Sequence, residues 1–548
     1  MDKTAETFDD TNIPRQDLDA IWTGYDVHRI ARPSGTCSGT SAVRLARARR
    51  MWRRRLAHAG RPSLTWKTAR TSVRTLSLRR WRPWARWWPS AMRAPIWRRC
   101  APCWKRAMAD SLRDKIKALE ISTPQGASGR LLRESQFVFN YTTQDRHCEL
   151  AMGMPLRAAS YTSNRPHPIF AMNLPEGNLR QRIKERYGKQ FAKLDDMAML
   201  SIVGHDQIGR LTVSDPAAPA DRRTAHVGLS ELLRARASDA LFDYLLDTYL
   251  ASGISGVQPK VLIPDAEAGG GGAAGVTRTT LSDLIVKASG LAHPNLTQNE
   301  FLCMDAARRA GIEVPEFHLS DDGSLFVLRR FDRAATRLGF EDMSVLSGQT
   351  YDEYGHYKYG GSYELIPSII EAYCGPNAAE SKQRFFEYFT ASCMMRNGDA
   401  HMKNFGLLYA RPNDPASVRL SPMYDVVTTS VYDVVNERTR RVTQDRELAL
   451  KLNKSRAYPD RKALIAFGHR CNVLKPERVF ERVDAGMSAS LEANRDRVPE
   501  QLWQRMKKEW DMSRLGLGLH SISKSLAKNN ENRKQYKCKT GDAGKVHG

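Results

Sequence analysis

Three absences narrow this 548-residue chain before any motif is read. No uninterrupted apolar run approaches the ~18 residues that a membrane-spanning helix needs, and no charged start leads into an apolar stretch, so neither a span nor a signal peptide is expected. That favours the cytoplasm. Nine cysteines, at 37, 100, 103, 148, 303, 374, 393, 471 and 538, are too scattered to make a disulfide framework. Cys100 and Cys103 form a CxxC pair, but with no second ligand pair nearby it reads as chance. The third absence is of acid: from Val27 to Ala109 there is no Asp or Glu, against 20 Arg and two Lys.

That block carries +22 of the net charge of +25, leaving about +3 for the rest, a balance ordinary for an enzyme. It also holds eight of the eleven tryptophans. Arg interleaved with aromatics suits phosphate contact and base stacking, which makes a nucleic-acid arm one reading. The block also lacks helical or strand periodicity and has too few core residues to fold alone. Its composition equally fits a GC-rich coding region read in a non-native frame, so residues 1–107 are set apart as a disordered or non-native region. At Met108 acids return, and the remaining length is ample for real cores: the chain has 41% hydrophobic and 26% charged residues.

The chain is organised around Asn397-Gly398-Asp399-Ala400-His401-Met402-Lys403-Asn404, followed by Tyr424-Asp425. Phosphoryl transfer needs a carboxylate to take the hydroxyl proton and oxygen ligands to hold Mg²⁺ against nucleotide phosphates. Asp399 suits the first role, and Asn404, five residues on, suits the second together with Asp425. This is the Asp-to-Asn spacing of a protein-kinase catalytic loop, although the His-Arg-Asp motif itself is absent. An Asp, His and Asn cluster is also ordinary turn chemistry. The loop lies between an apolar helix (385–395) and a strand (405–409), a sound setting for a catalytic group.

Upstream, Ser255-Gly256-Val257-Gln258-Pro259-Lys260 is a Gly- and Ser-containing loop entering a strand, able to offer backbone N–H groups to phosphate but not a Walker loop. A Gly- and Ala-rich connection spans 264–280. Lys287 ends the buried-type strand Leu284-Ile285-Val286-Lys287, where a cation is expensive unless it meets an anion. Thr297 to Glu300 is a capping-box pattern, so Glu300 either closes a helix turn or orients Lys287. A hairpin over 316–333 ends at Arg329-Arg330-Phe331, a plausible edge for an adenine ring. Ahead of these lie strand-like runs at 135–143 and 148–156, a basic helix over 179–194 and two apolar strands over 200–213. A helix is expected over 229–250, an ordered polar loop over 343–363, a largely helical lobe from 363 to about 514, and a Lys/Asn-rich disordered tail over 523–548.

In order and chemistry, SGVQPK, LIVK, QNEFLCMDAARRAGIEVP, RRFDR, NGDAHMKNFGLLY and SPMYDVVTT make residues 132–516 resemble the HipA family of serine/threonine-protein kinase toxins. The resemblance implies an α+β, two-lobed protein-kinase-like fold: an N-terminal subdomain (108–225), a nucleotide-binding lobe (226–335) and a helical catalytic lobe (336–522). It implies ATP held by Ser255 to Lys260, Lys287, Arg329 to Phe331, His401 to Asn404, and Tyr424 with Asp425, with Asp399 as base and Asn404 and Asp425 on Mg²⁺. It further implies a protein serine or threonine as acceptor, aminoacyl-tRNA synthetases among the targets, a HipB-like helix-turn-helix antitoxin as partner, and DNA reached through that antitoxin. Autophosphorylation in the Gly-rich loop is implied as well. Gly253 stands where a loop serine is often found, which leaves Ser255 as the candidate. An inactive HipA-like binding module is the alternative function.

Overall fold

The computed structural model describes residues 115–217, 228–234, 258–264, 283–290, 293–334, 336–352, 355–435 and 442–519. The expectations for the Arg- and Trp-rich block, for Ser255, Gly256 and Val257, for most of the 229–250 helix, for the Gly/Ala-rich connection and for the tail therefore lie outside the described residues. No helix among the described residues is long and apolar enough to cross a membrane.

The N-terminal subdomain is built on an antiparallel sheet of β1 (Ala118–Thr123), β2 (Gly126–Arg133), β3 (Phe137–Tyr141), β4 (Tyr161–Ser163) and β5 (Thr212–Ser214), in the order β4-β3-β2-β1-β5. Alternation explains one buried face: Leu119 and Ile121 on β1 and Phe137 and Phe139 on β3 point inward while their neighbours face out. Helices α1 (Gly177–Tyr187) and α2 (Asp196–Val203) complete it.

Two sequence expectations need correction here. The run at 148–156 is not a strand and holds only an isolated bridge between Ala151 and Met154. The Tyr141 hydroxyl accepts from Leu150 N–H and donates to the Met154 carbonyl, so a side chain replaces the strand ladder. The first of the two strands expected over 200–213 is the end of α2. Asp195 caps it by accepting from Ala198 N–H at 3.1 Å, and the helix is apolar on nearly every side, which erases its period.

After α3 (Leu229–Arg234) comes a second antiparallel sheet, β6 (Lys260–Ile263), β7 (Leu284–Ala288), β8 (Phe317–Leu319) and β9 (Leu325–Arg329), in the order β6-β7-β9-β8, with α4 (Leu296–Arg309) inserted between β7 and β8. Its period of two divides the hydrophobic core. Leu325 and Val327 face the N-terminal subdomain with Leu284 and Val286, whereas Phe326 and Leu328 face α4 and the helical lobe. The sheet is thus covered on both faces, and its strand ends open onto a cleft.

A short sheet of β10 (Gly339–Asp342), β11 (Gly406–Tyr409) and β12 (Arg419–Leu420) floors that cleft. Below it pack α5 (Leu365–Tyr373), α6 (Ala378–Met394), α7 (Arg461–Arg470), α8 (Pro476–Ala493) and α9 (Glu500–Gly516). Phe385, Phe386, Phe389, Phe467 and Phe480 form the aromatic centre of this lobe. The largely helical C-terminal lobe is as the sequence predicts.

Candidate active site

The buried helix α6 ends at Met394, and Arg396 then takes a left-handed conformation (φ 56°) that turns the chain into the polar loop. Gly398 follows at a point where no side chain fits. A Cβ there would lie 2.7 Å from Thr429 Oγ1 and 2.8 Å from the Glu447 carbonyl. Asn397 Oδ1 accepts from Asp399 N–H at 3.1 Å, and Gly398 N–H donates to Thr429 Oγ1 at 2.8 Å. Asn404 closes the loop: its Nδ2 donates to the carbonyls of Asp399 (3.0 Å) and Asp425 (3.3 Å). One amide therefore ties the two carboxylate-bearing segments together. Asp425 itself is left-handed (φ 59°), a conformation Asp tolerates better than most residues.

Across the cleft, Lys287 Nζ lies 2.6 Å from Glu300 Oε1 and 2.7 Å from Asp425 Oδ1. Glu300 therefore orients the lysine and is not a helix cap. Helix α4 starts two residues earlier than the capping box would place it, behind Asn295, whose side chain makes no cap bond. Lys260 sits directly opposite Lys287 in the β6–β7 register.

Electrostatics separate the carboxylates. Burial alone would raise the Asp425 carboxyl, but Lys287 and Lys260 hold it well below the usual carboxylate range. Asp399 moves the other way. It is half-exposed, but into a concave site with little bulk water, and burial raises its pKa against the pull of Lys358 and of the Tyr359 hydroxyl, which donates to Asp399 Oδ1 at 2.9 Å. Burial pushes Glu300 up to about 7 and His401 down to about 3, so His401 is a neutral imidazole.

All of these but Glu300 and Tyr359 line one cavity of about 570 Å³. Of the residues expected from sequence, Gln258, Pro259, Lys260, Lys287, Arg329, Phe331, Asp399, His401, Lys403, Asn404, Tyr424 and Asp425 line it. The side chains of three others do not: Glu300 stands behind Lys287, and two more point elsewhere. Met402 is fully buried in the core of the helical lobe. Arg330, the first residue past the end of β9, turns away into a buried cluster with Asp332 (2.7 Å), Asp206 (3.2 Å) and the Gln207 carbonyl (2.8 Å), so it packs against the N-terminal subdomain and not into the cavity. Lys403 lines the cavity, yet its ammonium is held by the Met172 carbonyl (3.1 Å), Glu176 (3.2 Å) and the Tyr357 hydroxyl (2.9 Å). It serves the subdomain contact.

Sequence reading missed several groups. Met172, Asn173 and Glu176 reach the cavity from the N-terminal subdomain, and Asp342, Lys358 and Asp445 reach it from other segments. The Pro175-Glu176-Gly177 turn and the Tyr- and Gly-rich stretch around 357–361 were the available signals.

A β-sheet lobe over a helical lobe, with a lysine–glutamate pair facing an Asp, Asn and Asp set, defines a two-lobed, kinase-like fold. The family follows from comparison. The HipA N-terminal domain matches residues 119–214 and the HipA-like C-terminal domain residues 252–505, together more than half of the chain, so the chain belongs to the HipA family. Among solved structures it resembles HipA of the Shewanella oneidensis MR-1 toxin–antitoxin system, solved with HipB and its operator DNA, at 20% identity and a TM-score of 0.55, covering 73% of this chain and 97% of that one. Two further similar proteins are named as kinases. "Putative kinase Y4dM" of Sinorhizobium fredii is 27% identical over 325 residues, 54% of this chain and 72% of that protein. A "Putative kinase" of Haemophilus influenzae is 27% identical over 169 residues, 28% of this chain and 48% of that protein.

Proposed function

We propose that the chain is an ATP-dependent serine/threonine protein kinase and the toxin of a HipA/HipB-type pair. The observation that carries this reading is Lys287, buried between Glu300 and Asp425 at 2.6 and 2.7 Å and facing the same cavity as Asp399 and Asn404. A lysine oriented by a helix-borne glutamate beside a metal-binding carboxylate is what phosphoryl transfer requires.

In this reading Asp399 accepts the proton of the attacking hydroxyl. Its raised pKa makes it a better base than an ordinary surface Asp, and the Tyr359 phenol already illustrates a hydroxyl donating to it at 2.9 Å. Lys287 and Lys260 hold ATP phosphates, while Arg329, Phe331 and Tyr424 line the end available to the adenine. No cluster of three or more His, Cys, Asp or Glu able to hold a metal occurs among the described residues. Asp425 and Asn404 still suit Mg²⁺, which commonly takes one or two protein oxygens and completes its shell with phosphate and water. Both Asn404 N–H bonds go to backbone carbonyls, which leaves its Oδ1 for the ion. Bound there, Mg²⁺ would neutralise phosphate charge.

The acceptor is a protein serine or threonine, an aminoacyl-tRNA synthetase being one candidate, with Ser255 the candidate for autophosphorylation. The partner is a HipB-like antitoxin, through which the chain reaches DNA. The test is incubation of the full chain with γ-labelled ATP and Mg²⁺ beside candidate acceptors, followed by site mapping. Label on serine or threonine supports the reading. A folded chain that binds ATP and transfers nothing to any protein is instead a binding module.

A further inference from the structure

Four buried or nearly buried lysines surround the cavity, and they are not equivalent. Lys287 is committed to Glu300 and Asp425, and Lys403 to Glu176, Tyr357 and the Met172 carbonyl. The ammonium groups of Lys260 and Lys358 make no hydrogen bond among the described residues. Lys358 is only 7% exposed, and its nearest carboxylate oxygen among the described residues, Glu176 Oε2, is 3.9 Å away. An ammonium so far removed from water is costly without acceptors.

Its position is fixed from two sides. The turn His356–Tyr359 follows Asp352, whose carboxylate accepts from His356 N–H (3.2 Å) and Tyr357 N–H (2.9 Å), and the adjacent Tyr359 is bonded to Asp399. Lys358 is the cation that acts most strongly on Asp399 and also on His401. His401, being neutral, brings no charge of its own to this end of the cavity.

We propose that Lys358 is the residue that binds the terminal phosphate of ATP, steered into place by Glu176 of the N-terminal subdomain. This rests on the kinase reading above. A general base must be within hydrogen-bond reach of the nucleophile, and the nucleophile must stand about 3–3.5 Å from the phosphorus it attacks. The cation beside Asp399 is therefore beside the terminal phosphorus. The inner phosphates, which ADP retains, lie toward Lys287 and Asp425. Lys358 thus distinguishes ATP from ADP and offsets charge on the group being transferred.

Equilibrium binding to the full chain tests this, using the Mg²⁺ complexes of a non-hydrolysable ATP analogue and of ADP. Lys358→Met keeps the buried stem and removes the charge, and Lys358→Arg restores it. Loss of a charge-assisted contact predicts that Lys358→Met weakens the analogue by about tenfold or more while ADP binding is retained, with Lys358→Arg closer to the parent. Retained ADP binding also reports that the variant is folded. Equal losses for both nucleotides, the mark of a merely structural lysine, would overturn the proposal, as would no change for either. A parent chain that binds neither nucleotide sinks the kinase reading itself and this inference with it, and that result is recognised before any variant is compared.

Discussion

Asp332 offers a quantitative test of how the N-terminal subdomain is fastened to the cavity. Its carboxylate accepts from Arg330 Nε (3.0 Å) and Nη2 (2.7 Å) and from Gly209 N–H (2.8 Å), and Arg330 is fully buried. Asp332→Ala leaves the guanidinium with Asp206 at 3.2 Å and the Gln207 carbonyl, and leaves the Gly209 N–H unpaired. Breaking a buried pair by removing one partner costs about 3–5 kcal/mol, and the surviving Asp206 contact argues for the lower part of that range. Equilibrium urea unfolding should show the midpoint falling with little change in slope. The pH dependence follows from linkage. Burial would raise the Asp332 carboxyl, but Arg330 and the hydrogen bonds hold it below its ordinary value. Its contribution is therefore complete above the unfolded pKa of about 3.9 and is lost as pH falls through the lower folded value, so parent and variant converge in acid. A loss under about 1 kcal/mol at pH 7, as for an exposed pair, would refute the clamp.

Two further perturbations probe the loop at 397–404. In Tyr359→Phe the hydroxyl that pulls the Asp399 pKa down is gone, so the acid limb of the kcat/KM profile should move to higher pH; a shift to lower pH would contradict the assigned contact. Gly398→Ala inserts a methyl where only 2.7–2.8 Å is open, which should cost about 1–3 kcal/mol and displace Asp399, seen as a lowered thermal midpoint together with lost transfer activity; a variant with the parent's midpoint would show that the loop yields freely.

The part of the site legible in the sequence is the part built from local runs. The loop at 397–404 declares itself as polar residues between a long apolar helix and a strand, and the continuous apolar run of 325–328 fits β9, a strand buried on both faces. Glu300 was legible only as a choice between a cap and a lysine partner, and the 2.6 Å contact with Lys287 decides it. What was hidden depends on long-range assembly. Glu176 meets Lys403, and Tyr359 meets Asp399, through contacts 227 and 40 residues apart in sequence, which no periodicity can signal. Arg330 points away from the cavity because β9 ends at Arg329 and the buried partners that hold Arg330, Asp206 and the Gln207 carbonyl, lie more than 120 residues earlier in the chain, out of reach of a local reading. Asp196–Val203 was misread because a short helix buried all round carries no amphipathic stripe, and only Asp195 as its cap marked it.

The central claim is that Asp399 is the base of a phosphoryl transfer, and the most direct measurement compares the parent with Asp399→Asn for transfer of the γ-phosphate to protein, with Mg²⁺·ATP affinity measured on the same samples. Loss of a general base predicts a fall of about 10²–10⁴ in the transfer rate with nucleotide affinity largely kept. Transfer at the parent's rate by the variant would contradict the account.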